Sequence, residues 1–456
     1  LPTPEQFEEH PELLEWSWPP KGPSHVKQSL RVHAEGHKRA EEPSQHYQTK
    51  AIRFLCESGE YPSTQVPDVF HEEGCLAQAF RGGAVEPHHV LECINWDKVL
   101  LGIKPHSTPG VPLNRLAASN AAIISDHWST VQTLVCERLL NIATYRGPIE
   151  AVALVRAGVR DPVKIFIKEE PHKRAKISGG KLRLIASVSL VDQIVERLIG
   201  GPQNNAEISC WKTCPSKPGV DLSDDGLLSL AEHFRNELKW GPILETDVSG
   251  WDWSVQAWEL RADAECRRIL AGAADGSVFD HYLKMQAQCV SASLFVTPDG
   301  DMIAQIDKGG QLSGSYWTSS TNSRMRVLAS LVARLIAGHQ LEGPIGVAAM
   351  GDDSTERAYS GIAEALGKLG HSVKFEKLNY TLAGISFCSH EWMETGLAKP
   401  ETVWKTFFRF LCHPANSDHY PEWFAQLSWT LRHIEESRAS KILGTAIACV
   451  GHAKEE

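Results

Sequence analysis

Ile345-Gly-Val-Ala-Ala-Met-Gly-Asp-Asp-Ser354 sets two adjacent carboxylates, Asp352 and Asp353, at the end of an apolar run. Ile345–Met350 reads as a strand, Gly351 to Asp353 as its turn, and the residues after it as the return strand. Two acids at the tip of a hairpin repel one another and call for a cation. Working outward, the chain holds three further polar clusters in fixed order. Asp247-Val-Ser-Gly-Trp-Asp252 closes a strand over Pro242–Thr246. Ser313-Gly314-x3-Thr318-x3-Asn322 opens a long helix, Ser315 to Ala337, that stops at Gly338. Lys168, Lys173, Arg174, Lys176, Lys181 and Arg183 fill a loop between strands Pro162–Ile167 and Leu182–Ala186. Asp-x4-Asp and Gly-Asp-Asp are each common by chance. Their order, each on a fitting element, is what carries information.

Each cluster suits one part of a nucleotidyl transfer. Asp247, Asp352 and Asp353 are the candidate ligands of two divalent ions, Mg²⁺ or Mn²⁺, which favour hard oxygen donors. Thr318 and Asn322 stand one turn apart on a helix face. Asp252, Ser313 and Asn322 are expected to form a network that bonds a ribose 2′-hydroxyl, with Gly314 giving the loop its freedom. Lys168, Lys176 and Arg183 are expected to bind a triphosphate, and Lys173 and Lys181 to hold RNA. Lys377 is the candidate general acid for the departing pyrophosphate, with Lys374 as its rival. Thr108-Pro-Gly-Val-Pro112, rigid and turn-forming, is a candidate guide for a template strand through Thr108, Gly110 and Pro112.

The 456 residues exceed one compact domain. A net charge of −10 argues against a protein that coats RNA with its whole surface, but not against a local basic channel. No apolar run is long enough to cross a bilayer. Eleven cysteines, an odd number with no signal peptide ahead of them, read as reduced thiols. Cys210 and Cys214 lack a second pair at zinc spacing, and His71-Glu-Glu-Gly-Cys75 lacks the second histidine of a zinc protease. The opening Leu1-Pro-Thr-Pro-Glu5, without Met, is expected to mark a piece of a longer precursor. Residues 1–50, rich in Pro, Glu and His, read as an extended strap or a partly mobile arm, expected either to brace distant parts or to bind a partner.

Helical spacing recurs at 49–55, 120–145, 190–199 and 258–273, from the Ser360 cap to Leu369, and at 403–411, 423–434 and 441–450. Ser291 to Ile306 reads as a hairpin around Thr297-Pro-Asp-Gly300, and Val373 to Leu378 as a strand. The sum is an α+β core with helical flanks.

In this order the clusters resemble the motifs of positive-strand RNA virus RNA-dependent RNA polymerases. Asp247-Val-Ser-Gly-Trp-Asp252, Ser313 to Asn322 and Gly351-Asp-Asp353 are similar to motifs A, B and C. Lys168 to Arg183 resembles motif F, Thr108 to Pro112 motif G, and Phe387-Cys-Ser-His390 motif E. Lys377 stands where the motif D lysine would. The wording Asp-Val-Ser-Gly-Trp-Asp-Trp-Ser is most similar to the sobemovirus and polerovirus group. Gly351 ahead of the acidic pair, with Asn322 and Asp252, separates the chain from reverse transcriptases. The resemblance implies a right hand with an antiparallel palm sheet and closed fingertips: N-terminal arm and fingers at 1–195, palm at 196–275 and 309–395, a fingers insertion at 276–308 and a small thumb at 396–456. It further implies RNA template, nascent RNA and NTPs as partners, with a genome-linked protein or an oligonucleotide as primer. It implies other viral replication proteins, indirect membrane association, and replication complexes in the host cytoplasm.

Overall fold

The computed structural model describes residues 1–452. Four antiparallel strands form the central sheet, in the order Val373–Asn379, Ile243–Val248, Asp353–Arg357, Val347–Met350. Strand Ile243–Val248 is buried at every position except Asp247, so its one exposed side chain is the acid. Helix Thr318–Ile336 lies on this sheet and is buried almost throughout. A second sheet runs Leu184–Ser187, Val163–Ile167, Leu294–Val296, Met302–Ala304, and only its middle pair is parallel. The strands flanking the basic segment therefore share a sheet with the 294–304 hairpin.

The basic segment is more than a connecting loop. It contains a two-residue strand, His172–Lys173, and a short helix, Arg174–Ser178. Helix Leu190–Ser209 runs ten residues past its expected end and carries Pro202 inside it. Helices Asp224–Leu238 and Val278–Ser291 had no counterpart in the sequence reading.

Residues 1–50 are ordered into elements rather than extended. Helix Pro23–Gly36 buries Val26 and Leu30, one turn apart, and that single pair of apolar residues is enough to seat it. Trp16–Ser17 pairs with His172–Lys173. Leu13 is buried with Phe407, Phe408 and Ile442 of the C-terminal helices. His10 Nε2 lies 2.7 Å from Thr445 Oγ1. The N-terminal stretch thus ties the C-terminal helices (Val403–Leu411, Tyr420–Thr430, Glu436–His452) to the basic segment. Among the described residues no helix is long and apolar enough to cross a membrane.

Candidate active site

Pairing Glu245 with Thr355 fixes the register of the two central strands. Continuing that ladder two residues brings Asp247 level with Asp353, on strands about 4.8 Å apart. Asp247 and Asp352 line one cleft with Thr246, Ser354, Phe375 and Lys377. Among the described residues, neither carboxylate accepts a hydrogen bond from another side chain or forms an ion pair. Asp352 reaches solvent, yet the walls of the cleft surround it. That burial raises its carboxyl above the usual range, Arg183 opposes the rise, and the charge of Asp247 adds to it. Two unneutralised carboxylates in a solvent-filled cleft, all hard oxygen, fit a divalent cation such as Mg²⁺ or Mn²⁺.

Asp353 begins the return strand opposite Met350 and lines the same cleft as Asp247 and Asp352. There Oδ2 accepts from the Cys388 amide at 2.6 Å. Burial, with Asp352, Glu401 and Glu245 nearby, pushes its carboxyl up to about 7, against the Cys388 bond. The Cys388 bond lets Asp353 support the turn while it lines the cleft with the other two acids.

Helix Thr318–Ile336 organises the cleft from one turn and a half. Asn322 Nδ2 donates to Asp252 Oδ1 at 2.8 Å, and Asn322 Oδ1 accepts from Trp251 Nε1 at 3.2 Å. Ser323 Oγ accepts from the Gly351 amide at 2.9 Å. Arg326 Nη2 donates to Thr246 Oγ1 at 2.7 Å. Three neighbouring positions thus fix the Asp252 turn, the Asp352 hairpin and the Asp247 strand. Ser323 and Arg326 escaped the sequence reading, although the four-residue step from Asn322 to Arg326 on one face could have drawn attention to the arginine. Burial pushes the Asp252 carboxyl up to about 6; the Asn322 bond opposes the rise, and the charge of Asp352 adds to it.

Ser313 of the expected ribose network, and Thr318 on the helix after it, hold backbone groups in this structure. Ser313 Oγ accepts from the Ala186 amide at 3.0 Å and donates to the Leu184 carbonyl at 3.3 Å, so it is stitched to the strand that follows Arg183. The approach is so close that a Cβ at Gly314 would stand 2.2 Å from the Ala186 oxygen, and only glycine fits. Thr318 Oγ1 donates to the carbonyls of Leu312 at 2.6 Å and Ser315 at 2.8 Å, which closes the loop on itself. Its hydroxyl is held by backbone carbonyls.

The basic segment is organised by an acid the sequence reading passed over. Glu170 is buried and bonds Arg183 at 2.7 Å, Lys405 at 3.0 Å and Lys168 at 3.3 Å. Burial alone would raise its carboxyl, but these cations more than offset that and hold it at about 2. Arg183 is thereby oriented, and its charge reaches both Asp352 and Asp252. Lys176 is lowered by burial and then by the positive charges of Lys374, Arg183 and Lys173, with Asp247 acting against them. A cluster of cations that suppress one another's charge invites an anion. Lys173 lies against Trp16 and Glu15, and Lys181 is exposed.

Lys377 does not share that cluster. Its Nζ donates to the Gly384 carbonyl at 2.5 Å and stands 4.0 Å from Glu245, on the side of the cleft where Asp353 and Cys388 meet. Lys374 is the lysine that neighbours Lys176. Thr108 Oγ1 accepts from the Gly110 amide at 3.3 Å, and the Pro109 carbonyl accepts from Leu190 at 2.8 Å. The 108–112 turn is therefore pinned to the start of helix Leu190–Ser209, with Pro112 exposed. Cys210 and Cys214 are free thiols, as are the other nine cysteines.

A family model described as viral RNA-directed RNA-polymerase matches residues 24–396. The chain belongs to the viral RNA-directed RNA polymerases. It is 42% identical over 413 residues to the RNA-directed RNA polymerase of Mushroom bacilliform virus (isolate Australia/AUS LF-1), covering 87% of this chain and 98% of that one. It is 36% identical over 420 residues to Replicase polyprotein P2AB of Southern bean mosaic virus, covering 88% of this chain and 40% of the polyprotein. To Protein P1-P2 of Turnip yellows virus it is 32% identical over 435 residues, or 88% of this chain and 38% of that protein. Among solved structures, the Sicinivirus 3Dpol RNA dependent RNA polymerase superposes with a TM-score of 0.67 at 17% identity, over 94% of this chain and 85% of that one. The polymerase therefore has the right-hand fold, with mixed helices and antiparallel sheets.

Proposed function

We propose that this polymerase copies the genome of a positive-strand RNA virus by templated ribonucleotidyl transfer at Asp247 and Asp352. The observation that carries the reading is the free Asp247–Asp352 pair standing beside the bonded Asp252–Asn322 pair. Two divalent ions bound at the first pair would supply an activated 3′-hydroxyl and a neutralised pyrophosphate. Arg183, held by Glu170, and Lys176 draw the triphosphate toward the carboxylates. Lys377, which lines the cleft, gives a proton to the leaving group, with Lys374, beside Lys176, as its rival. Asp252 and Asn322 present an acceptor and an amide to the ribose edge. The turn at 108–112 and exposed Lys181 border the path of the RNA. A protein or oligonucleotide serves as primer, and the enzyme works with other viral proteins in membrane-associated complexes of the host cytoplasm. These partners and this location rest on kinship with the viral polymerases.

Ribose selection gives the direct test. Single-nucleotide extension of a primed RNA template is expected to favour CTP over dCTP strongly. Asn322→Ala is expected to narrow the ratio of kcat/KM by about 1–3 kcal/mol, the cost of leaving a polar site unpaired. An unchanged ratio would remove the ribose role from this pair. Arg183→Ala is expected to raise KM for NTP by roughly tenfold, since one charge-assisted contact contributes about 1.5–3 kcal/mol. RNA affinity, read by fluorescence anisotropy, is expected to move much less. A fall in RNA affinity alone would place the guanidinium on the template and not on the triphosphate.

A further inference from the structure

The stretch Ser249–Gln256, which carries Asp252, is gripped from two sides. On one side lies the segment after helix Pro23–Gly36. His37 Nε2 is 3.0 Å from the Ser249 carbonyl. Arg39 Nη1 donates to the carbonyls of Trp253 at 2.8 Å and Val255 at 2.9 Å. The Ala40 amide donates to Gln256 Oε1 at 3.0 Å. On the other side is the glycine loop that leads to Ser313. The Gly310 amide donates to Val255 O at 2.7 Å and the Gln311 amide to Asp252 O at 2.8 Å.

Arg39 stands where the two grips meet. A Cβ at Gly309, whose φ is +134°, would lie 2.8 Å from Arg39 Cζ. Val255 O accepts from Arg39 and from Gly310 at once. Among the described residues the guanidinium has no carboxylate within ion-pair distance. Its charge rests on carbonyl dipoles, an arrangement that costs desolvation and is not needed merely to hold a loop. A cavity of about 280 Å³ opens beside it, and Asp252, Gly310 and Ser313 share its wall with Arg39. One terminal nitrogen, Nη1, donates to both carbonyls, two residues apart, and the rigid guanidinium plane fixes the direction of the pair.

We infer that Arg39, a residue of the N-terminal segment, is a positioning residue for ribose selection. By bonding the carbonyls just past Asp252 and abutting the glycine loop, it holds the Asp252 turn where its carboxylate meets Asn322. The inference rests on the reading of Asp252 and Asn322 as the ribose-sensing pair. It places the specificity of the palm partly under the control of a segment more than two hundred residues upstream.

The test is single-nucleotide extension with CTP and dCTP on the full chain, for wild type, Asn322→Ala, Arg39→Lys and Arg39→Met. Arg39→Met is expected to lower the CTP-to-dCTP ratio of kcat/KM about tenfold, through kcat for CTP, because small displacements of a positioned group are costly in rate. Arg39→Lys is expected to fall between, and in a further variant, Arg39→Ala, added methylguanidinium is expected to restore the ratio. RNA affinity should match wild type. A wild-type ratio in both Arg39→Met and Arg39→Lys, while Asn322→Ala lowers it, overturns the inference. A wild-type ratio in Asn322→Ala overturns the ribose reading beneath it. If Arg39→Met does not fold, Arg39→Lys decides alone: a lowered ratio supports the inference and a wild-type ratio overturns it.

Discussion

Asp352→Asn is expected to lower the rate of RNA synthesis by about 10³-fold or more while the protein keeps its fold. A metal-bound carboxylate contributes several kcal/mol to the stabilisation of charge in the transition state, at about 1.36 kcal/mol per tenfold in rate. The amide keeps the shape and loses the charge. The fold survives because the carboxylate has no partner to abandon among the described residues. Its carboxyl is raised by burial and by the neighbouring charge of Asp247, so replacing it with a neutral group relieves repulsion. The melting temperature is therefore expected to hold or rise. Asp353→Asn makes the comparison informative. Its amide oxygen can still accept from Cys388, so the turn keeps its support and the loss of rate is expected to be much smaller. Primer extension with Mg²⁺ and with Mn²⁺ measures both. Equal losses in the two variants would mean that Asp353 binds metal with Asp352.

What the sequence showed and what it concealed divide along a physical line. Strands and hairpins were legible because each is specified within about ten residues, as in Ile345–Met350 before Gly351. The acids of the cleft were legible because the chemistry demands a particular residue type at a particular strand end. Groups whose meaning depends on a distant partner were not. Glu170 lies inside a basic run and looks like a diluting charge until Arg183, Lys168 and Lys405 close on it. Lys374 and Lys377 are three residues apart on one strand, and only the fold shows that Lys377 lines the cleft opposite Glu245 while Lys374 neighbours Lys176. Ser313 reads as a ribose ligand in sequence, and only the fold shows that its hydroxyl also bonds the backbone of the strand at Ala186. Helix Asp224–Leu238 was legible and overlooked: Ser223 caps it, acids fill its first turn, and Leu227, Leu230, Ala231 and Phe234 line one face.

The most concealed feature carries the second large effect, a destabilisation of about 3–5 kcal/mol expected for Asp263→Ala. Arg324, Arg326 and Arg334 on helix Thr318–Ile336 follow the pattern of a solvated face, yet all three are buried. Arg324 bonds Asp263 at 2.7 Å and also Glu207, with every partner buried. Asp263 further accepts from Arg267 at 3.2 Å and Thr321 at 2.9 Å. Removing this one carboxylate leaves two guanidinium groups facing each other with Glu207 as their remaining nearby acid. Burial and the charge of Arg324 already hold Arg267 down to about 10. Without Asp263 that repulsion is unopposed, and a buried charge stripped of its partner costs far more than the pair contributed. Asp301→Ala, which cuts an exposed pair with Lys27, is expected to stay within about 0.5 kcal/mol. Thermal melting compares the two, and equal midpoints would show that water reaches the Asp263 cluster. Thr321 and Arg324 flank Asn322, Ser323 and Arg326 on the same helix. A helix loosened at these anchors cannot keep three contacts in register, so Asp263→Ala is also expected to narrow ribose selection at temperatures where the protein is still folded. Buried ion pairs seldom add net stability. Here they hold one helix in a single orientation against the three elements that carry the acids, and that orientation is what the chemistry requires.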